Sequence, residues 1–325
     1  MDVKIDKLLG DERHSFLLEF IDTTLRGCGQ VMFQNNSLTG AFFFGGIFFD
    51  AYLNNTPVIA WGCLLGTAVA TLTGYLIIRD RTSLRSGLCG YNGCLVGAAL
   101  PVFLVPTPTL WCVLILSSAL SVIVATSISE CLKGLKIAAL TGPFVVTTWV
   151  VLLASYNFPQ LVHMGLPATF LPQQHTHLLT HSYYHTEWLG AFNGVSEVFL
   201  FSNIVSGMLM CIGLACGSLW NVFYAVFSAV LSMLIALWLG GTLQGVDAGM
   251  FSFSAVLTGI ALGATFSKPG MMSFCYTVIG VFFVVLMQGA LNTALAPLGI
   301  PSLTMPFVLA TWVLLLVHDK TVLQD

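Results

Sequence analysis

The segment Leu140-Thr-Gly-Pro-Phe-Val-Val-Thr-Thr-Trp-Val150 returns later in the chain as Leu303-Thr-Met-Pro-Phe-Val-Leu-Ala-Thr-Trp-Val313. Eight of the eleven positions are identical, at an offset of 163 residues. Two further matches stand in the same order: 87–97 with 249–259 at an offset of 162, and 27–40 with 194–207 at an offset of 167. Three ordered matches at nearly one offset indicate a tandem duplication.

The composition places both copies in a membrane. Of the 325 residues, 57% are hydrophobic and 8% are charged, and the mean hydropathy is +0.90. Soluble domains carry about 25% charged residues, and several apolar runs here reach the ~20 residues that cross a bilayer. The net charge of -3 and the lack of a basic cluster in the sequence argue against a nucleic-acid partner. The sequence therefore predicts an all-α polytopic membrane protein.

Each copy contains six apolar segments. They are 13–33, 36–53, 57–78, 87–104, 108–128 and 135–155 in the first copy, and 186–201, 203–218, 220–240, 249–266, 270–290 and 302–318 in the second. The first segment carries Glu19, Asp22 and Arg26, which a lipid-facing helix tolerates poorly. We interpret it as a half-spanning re-entrant helix followed by five transmembrane helices. This arrangement places the arginines between 79 and 85 in the cytoplasm, as the positive-inside tendency favours. Five spans per half also invert the two halves relative to each other.

The boundaries follow from the same arrangement. The predicted parts are a cytoplasmic N-terminus at 1–12, a first membrane repeat at 13–155, an external connecting loop at 156–188, a second membrane repeat at 189–318 and a cytoplasmic C-terminus at 319–325. Five histidines fall in the loop: His163, His175, His177, His181 and His185. We interpret them as part of a solvated loop, with metal binding and pH sensing as alternatives. The nine cysteines show no metal or disulfide spacing, so the sequence predicts neither a metal site nor a cofactor.

Two pairs of polar residues occupy equivalent positions in the two repeats. Gln30 matches Glu197, and Thr141 matches Thr304, each threonine standing before Pro-Phe. As structural residues, Glu197 would cap a helix or bond a neighbouring one, and the threonines would cap helices. As functional residues, the two members of each pair would face each other across a pseudo-two-fold axis. Polar groups at membrane depth in such a place mark a solute pathway.

Apolar side chains accompany these polar pairs. Tyr91 and Leu95, like Phe253 and Leu257, are four residues apart and share a helical face. Phe33 and Leu200 each follow the matched Gln or Glu by three residues. Taken alone, such residues are typical of core packing. Beside the polar pairs they predict the walls of the pathway.

At these residues the chain resembles the urea transporter family. The resemblance rests on 20–40, on Gly90-Tyr-Asn92 and on the doubled Leu-Thr-x-Pro-Phe element, and it extends over nearly the whole chain. It implies a homotrimer in which each subunit carries its own urea channel between its two halves. The implied pore residues are Gln30, Val31, Phe33, Tyr91, Leu95, Glu197, Val198, Leu200, Phe253 and Leu257 in the outer parts, with Thr141 and Thr304 in the middle. The second half departs from the family pattern at Ser252-Phe253-Ser254 and at Leu200.

The expected function is passive, channel-like transport of urea across the plasma membrane, which would be the inner membrane of a bacterium. The expected partners are urea with its close analogues, and the lipid bilayer. The alternative is a channel for another small neutral solute such as ammonia, a short amide or water. The sequence lacks the doubled Asn-Pro-Ala of aquaporins and the paired intramembrane histidines of ammonium channels. An enzyme is not expected, because no nucleophile and base are matched within the spans.

Overall fold

The structure is a computed structural model that describes residues 2–164, 166–167, 169 and 189–321. Within these ranges the chain forms fourteen α-helices and no β-strand beyond one isolated bridge between Leu104 and His163. The predicted all-α class is therefore confirmed.

The helices repeat in the same order in the two halves. Those of the first half are α1 (Asp2–Gln30), α2 (Ser37–Leu53), α3 (Pro57–Ile77), α4 (Arg81–Arg85), α5 (Gly90–Phe103), α6 (Pro108–Leu132) and α7 (Gly142–Ser155). Those of the second half are α8 (Gly190–Ser196), α9 (Ile204–Gly217), α10 (Leu219–Trp238), α11 (Leu243–Asp247), α12 (Phe253–Ile260), α13 (Met271–Leu295) and α14 (Met305–Thr321). Each helix thus has a counterpart seven places later, which confirms the duplication.

Left-handed backbone positions repeat as well. The equivalent pairs are Phe33 (φ 63°) with Leu200 (φ 66°), Gly87 (φ 80°) with Gly249 (φ 84°), and Leu140 (φ 52°) with Leu303 (φ 50°). A large non-glycine side chain at positive φ is sterically costly and persists only where the surrounding structure imposes it. Both repeats therefore turn the chain at the same places for tertiary rather than local reasons.

Hydrogen bonds between α2 and α9 show that the two halves are inverted. The Thr39 hydroxyl donates to the Gly213 carbonyl at 2.7 Å, and the Ser206 hydroxyl donates to the Gly46 carbonyl at 2.9 Å. The two bonds join equivalent atoms in reverse, as a two-fold axis requires. Moving forward along α2 means moving backward along α9, so the equivalent helices are antiparallel. The axis that relates the two halves is therefore perpendicular to these helices.

The lengths of the helices fit a bilayer. Among the described residues, α3, α6, α10 and α13 are long and apolar enough to cross it. The segments Gly190–Phe199 and Ile204–Gly217 form a broken pair bent by 75°, which agrees with a half-spanning helix at the start of the second half. The protein is therefore a polytopic membrane protein.

Some boundaries differ from the sequence prediction. Helix α1 begins at Asp2 instead of residue 13, because the polar residues before the apolar segment include good helix formers and no proline. Helices α7 and α14 begin later than predicted, because Leu140 and Leu303 are left-handed just before each start. The short helix α4 was not predicted; the Asp80 carboxylate caps it by accepting from the Thr82 amide at 3.0 Å.

The ends of α5 mark opposite sides of the molecule. Arg81 precedes its start, whereas His163 pairs with Leu104 directly after its end, about 20 Å away along the helix axis. In a chain whose exposed cysteines are replaced by serine, we expect Arg81→Cys to react with an impermeant thiol reagent from the cytoplasmic side. We expect His163→Cys to react from the outside. Labelling of both positions from one side would contradict the fold.

Candidate functional site

Two cavities lie between the halves, and we call them the first and second vestibules. The first vestibule has a volume of about 200 Å³. Its lining residues are Gln30, Val31, Phe33, Leu88, Tyr91, Ala138, Leu140, Thr141, Thr265 and Phe266. The last two belong to the second half, so both repeats form this cavity.

The second vestibule, of about 430 Å³, has an equivalent lining. Its residues are Val102, Phe103, Pro167, Glu197, Leu200, Met250, Phe253, Gln288, Asn292, Ala296, Ile300, Pro301, Ser302 and Leu303. Eight of these match lining residues of the first vestibule at the offsets of the repeat. Glu197, Leu200, Met250, Phe253, Pro301 and Leu303 match Gln30, Phe33, Leu88, Tyr91, Ala138 and Leu140, and Val102 and Phe103 match Thr265 and Phe266. The two vestibules are thus copies of one cavity related by the pseudo-two-fold axis.

The matched threonines meet between the two vestibules. The hydroxyls of Thr141 and Thr304 lie 2.6 Å apart and are hydrogen-bonded to each other. Both side chains are buried, and Thr141 makes no capping hydrogen bond to α7. The capping role weighed for Thr141 is therefore wrong. The pair lies on the axis between the two vestibules, since Thr141 lines the first vestibule and Leu303 precedes Thr304 in the wall of the second.

Two tryptophans hold the backbone that carries the threonines. The indole Nε1 of Trp149 donates to the Pro301 carbonyl at 2.8 Å, and that of Trp312 donates to the Ala138 carbonyl at 3.0 Å. These are equivalent bonds made in reverse between the halves. Each one satisfies a carbonyl just before α7 or α14, where the extended chain has no helical partner.

Asn92 supports the same region from α5. Its side-chain oxygen accepts a hydrogen bond from the Phe144 amide at 3.1 Å. This amide lies in the first turn of α7, where backbone donors have no intrahelical acceptor. Asn92 therefore caps α7 from a neighbouring helix and helps to set the position of Thr141.

Gln30 and Glu197 lie at the far ends of the two vestibules, in different surroundings. The Gln30 Nε2 donates to the Ser86 carbonyl at 2.8 Å, while its Oε1 has no donor in the described part of the chain. The Glu197 carboxylate is half-buried and has neither a hydrogen-bond donor nor a cation among the described residues. The structural role weighed for Glu197 therefore finds no support there, and acceptor oxygens are available at both ends.

Aromatic rings form part of the vestibule walls. The Phe33 ring contacts Phe266 edge-on with centroids 5.8 Å apart, and Phe307 with centroids 6.1 Å apart. Tyr91 donates its hydroxyl to the Leu140 carbonyl at 2.7 Å. Phe253, its equivalent, has no hydroxyl with which to bond Leu303. The first vestibule therefore has a hydrogen bond in its wall that the second cannot form.

Eight of the twelve residues predicted from the sequence line a vestibule. They are Gln30, Val31, Phe33, Tyr91, Thr141, Glu197, Leu200 and Phe253. Thr304 contacts Thr141 instead. Leu95, Val198 and Leu257 are buried and line neither vestibule. For Leu95 and Leu257 this agrees with the core-packing alternative.

Sequence reasoning missed a polar group in the second vestibule. Gln288 accepts from Ser254 at 2.9 Å and donates to Ser302 at 2.6 Å and to Asn292 at 3.1 Å. Gln288 stands inside the apolar helix α13, and an amide at membrane depth is itself a signal of function. It was overlooked because its first-repeat equivalent is Ala125, so comparison of the repeats did not select it.

Three charged residues of α1 form ion pairs outside the first vestibule: Glu19, Asp22 and Arg26. Asp22 contacts Arg26 at 2.7 Å and Glu19 contacts Arg85 at 2.8 Å. They surround an open cavity of about 590 Å³ that we call the charged basin. Its lining residues are Glu19, Asp22, Thr23, Arg26, Asn35, Arg81, Thr82, Arg85 and Ser86. Ser86 thus joins the basin to Gln30 at the entrance of the first vestibule.

Of the five loop histidines, His163 is described and packs edge-on against Tyr156 with ring centroids 5.6 Å apart. His175, His177, His181 and His185 lie outside the described residues. The nine cysteines are all free, and five of them are buried.

The family profile described as Urea transporter matches residues 21–319. The chain belongs to the urea transporter family. Similar curated proteins are named urea transporter 1. The sheep (Ovis aries) and goat (Capra hircus) proteins are each 28% identical, and the rat (Rattus norvegicus) protein is 26% identical. The matches cover 93–94% of this chain and 78% of each relative. The lining residues of both vestibules lie within the matched residues 21–319.

The threonine contact predicts a reversible cross-link. Disulfides need Cβ atoms about 3.5–4.5 Å apart, and hydroxyls in contact bring the Cβ atoms close to that range. We expect the double variant Thr141→Cys/Thr304→Cys to lose at least about nine-tenths of its solute flux on mild oxidation, because a disulfide would bridge the passage. A reductant should restore the flux. Each single variant and the unaltered protein, in which Cys63 and Cys94 lie 3.3 Å apart, are the controls. Equal loss in a single variant would contradict the placement.

Proposed function

We propose that the protein conducts urea passively along the path that joins the two vestibules. The observation that carries this proposal is the hydroxyl contact between Thr141 and Thr304 on the axis, with acceptor oxygens of Gln30 and Glu197 at the two outer ends. Membership of the urea transporter family supports the choice of solute.

The polar groups suit the hydrogen-bonding pattern of urea. Urea is planar and neutral, with four N–H donors and one carbonyl acceptor. A path that removes it from water must replace those bonds, because an unpaired polar group costs about 1–3 kcal/mol. The oxygens of Gln30 and Glu197 accept from its N–H groups. A threonine hydroxyl both donates and accepts, so it serves either edge of the molecule at the midpoint.

The apolar walls select for shape and charge. Phe33, Tyr91 and Phe253 present rings on which a flat molecule can slide. They give nothing to a hydrated ion, which meets a steep desolvation cost between them. The path therefore favours a small, flat and uncharged solute over ions.

The lining offers no evident means of coupling to an energy source. Glu197 and Tyr91 are the titratable residues among those that line the described vestibules, and a proton relay needs a chain of such groups. We infer that urea moves down its own gradient. Uptake into vesicles that required a proton or sodium gradient would contradict this.

We further propose the arrangement in the membrane that the sequence predicts: a plasma-membrane protein with cytoplasmic termini, an external connecting loop and three subunits per channel assembly. The trimer rests on the family resemblance, and many large apolar side chains are exposed on the isolated chain, as subunit contacts or lipids require. We expect light scattering in mild detergent to give a protein mass near three times 35.0 kDa. A mass of one chain would contradict it.

The solute and the role of the hydroxyls are tested in the same vesicles. We expect stopped-flow light scattering to show urea flux well above that of acetamide, ammonia or water. Thr304→Val keeps the shape of the side chain but removes the hydroxyl, so flux should fall about fivefold for a lost hydrogen bond of about 1 kcal/mol. Glu197→Gln should also change the flux, because it alters the acceptor at the second entrance.

The matched control is Thr293→Val, at an exposed threonine of α13 whose hydroxyl bonds only the Gly289 carbonyl. Its flux should stay within the error of the unaltered protein. Normal conduction by both the Thr304 and the Glu197 variants would show that these residues are structural. Faster passage of acetamide or ammonia than of urea would favour the alternative solute class.

A further inference from the structure

One backbone carbonyl explains why equivalent positions at the two entrances carry different side chains. The Ser86 carbonyl, at the end of α4, accepts from Gln30 Nε2 at 2.8 Å. A carboxylate at position 30 would have no hydrogen to donate, and its oxygen would face the carbonyl oxygen at that distance. Position 30 therefore needs a side chain that donates to Ser86 and accepts elsewhere.

The second repeat meets the same demand with another residue. The carbonyl equivalent to that of Ser86 is that of Ala248, and it accepts from the Ser202 hydroxyl at 3.0 Å. Glu197 is thereby relieved of any need to donate. In the first repeat the counterpart of Ser202 is Asn35, whose side-chain oxygen accepts from Arg26 at 2.8 Å. Among the described residues Asn35 bonds Arg26 and not Ser86, so Gln30 supplies the donor to this carbonyl.

Helix α4 holds the Ser86 carbonyl in place. Arg85 donates from Nε and Nη2 to the two oxygens of Glu19 at 3.0 and 2.8 Å, which ties α4 to α1. Asp80 caps the other end of the helix, and the Ser83 hydroxyl and Thr82 amide keep the pKa of its carboxyl below the usual value. The carbonyl is therefore a fixed acceptor next to Gln30.

We propose that the Ser86 carbonyl is a positioning group that locks the Gln30 amide with its nitrogen outward and its oxygen toward the first vestibule. The first entrance then presents one amide oxygen to the solute, whereas the second presents the two side-chain oxygens of Glu197. This inference rests on the proposed conduction of a hydrogen-bond-donating solute. It adds the reason for the Gln30–Glu197 difference and assigns a role to Asn35 and Ser202.

Replacement of Gln30 by Glu tests the proposal through pH. Above its pKa the introduced carboxylate cannot donate to Ser86, whereas below it the carboxylic acid donates through O–H and still offers a carbonyl oxygen. Flux through Gln30→Glu should therefore rise as pH falls between about 8 and 4, around the ordinary glutamate pKa of about 4.3. Relative to the unaltered protein, we expect about a tenfold lower flux at pH 8 and near-normal flux at pH 4.

The surrounding charges determine where this titration falls. The titratable side chains nearest to position 30 are Tyr91 in the same vestibule and those of the charged basin beside Ser86: Glu19, Asp22, Arg26, Arg81 and Arg85. The arginines favour the carboxylate, whereas the two acids and the Ser86 carbonyl favour its protonation. Glu197→Gln, measured in parallel, introduces no acid and should show no activation at low pH.

Asn35→Ser supplies the second test, because it places in the first repeat the residue type that bonds the equivalent carbonyl in the second repeat. In the double variant Gln30→Glu/Asn35→Ser, the serine hydroxyl should donate to the Ser86 carbonyl and restore flux at pH 8 to within about twofold of the unaltered protein. Recovery at low pH in the same vesicles shows that Gln30→Glu is folded.

Three outcomes would overturn the proposal: normal flux of Gln30→Glu at pH 8, equally reduced flux at both pH values, or no rescue by Asn35→Ser. If the unaltered protein fails to conduct urea, the proposed function fails instead. The same series can then be run with whichever solute the protein does conduct.

Discussion

The rest of the structure depends on backbone that enters the membrane without being helical. Helices α7 and α14 begin near the middle of the molecule, so the chain before each of them has carbonyls without intrahelical partners. Such groups are tolerated at membrane depth only where protein or a cavity satisfies them. Trp149 and Trp312 do this by reaching across the axis. Because each half supplies the hydrogen-bond donor for a carbonyl of the other, the segments before α7 and α14 depend on both repeats.

That exchange places the threonines. Each threonine stands at the start of a helix and follows a left-handed leucine, and the two hydroxyls meet on the axis. The vestibules lie on either side of this contact, because the residues before α7 line the first vestibule and those before α14 line the second. A two-fold scaffold thus gives two entrances and one constriction, which is the geometry that passage of a small solute needs.

The scaffold is symmetric, but its polar groups are not. Gln30 is equivalent to Glu197, Tyr91 is equivalent to Phe253, and Gln288 is equivalent to an alanine. We assign the difference between Gln30 and Glu197 to the local acceptors on each side. The Ala248 carbonyl already accepts from the Ser202 hydroxyl, so Glu197 does not have to donate to it and can be an acid. The two repeats share one backbone, but the side chains that bond the Ser86 and Ala248 carbonyls differ between them.

By itself, the sequence determined the membrane class, the duplication and the matched pairs Gln30–Glu197 and Thr141–Thr304, because composition and an internal offset survive without coordinates. It also located most helices, since long apolar runs have few alternatives in a bilayer. It did not separate Tyr91, which lines a vestibule, from Leu95, which is enclosed in the core. The two residues lie on the same face of α5, and the sequence does not show which part of that face meets the cavity. Only the tertiary structure decided which carbonyl each polar side chain meets. Gln30 bonds a residue 56 positions away and Trp149 one 152 positions away, and no local pattern encodes a partner at that separation.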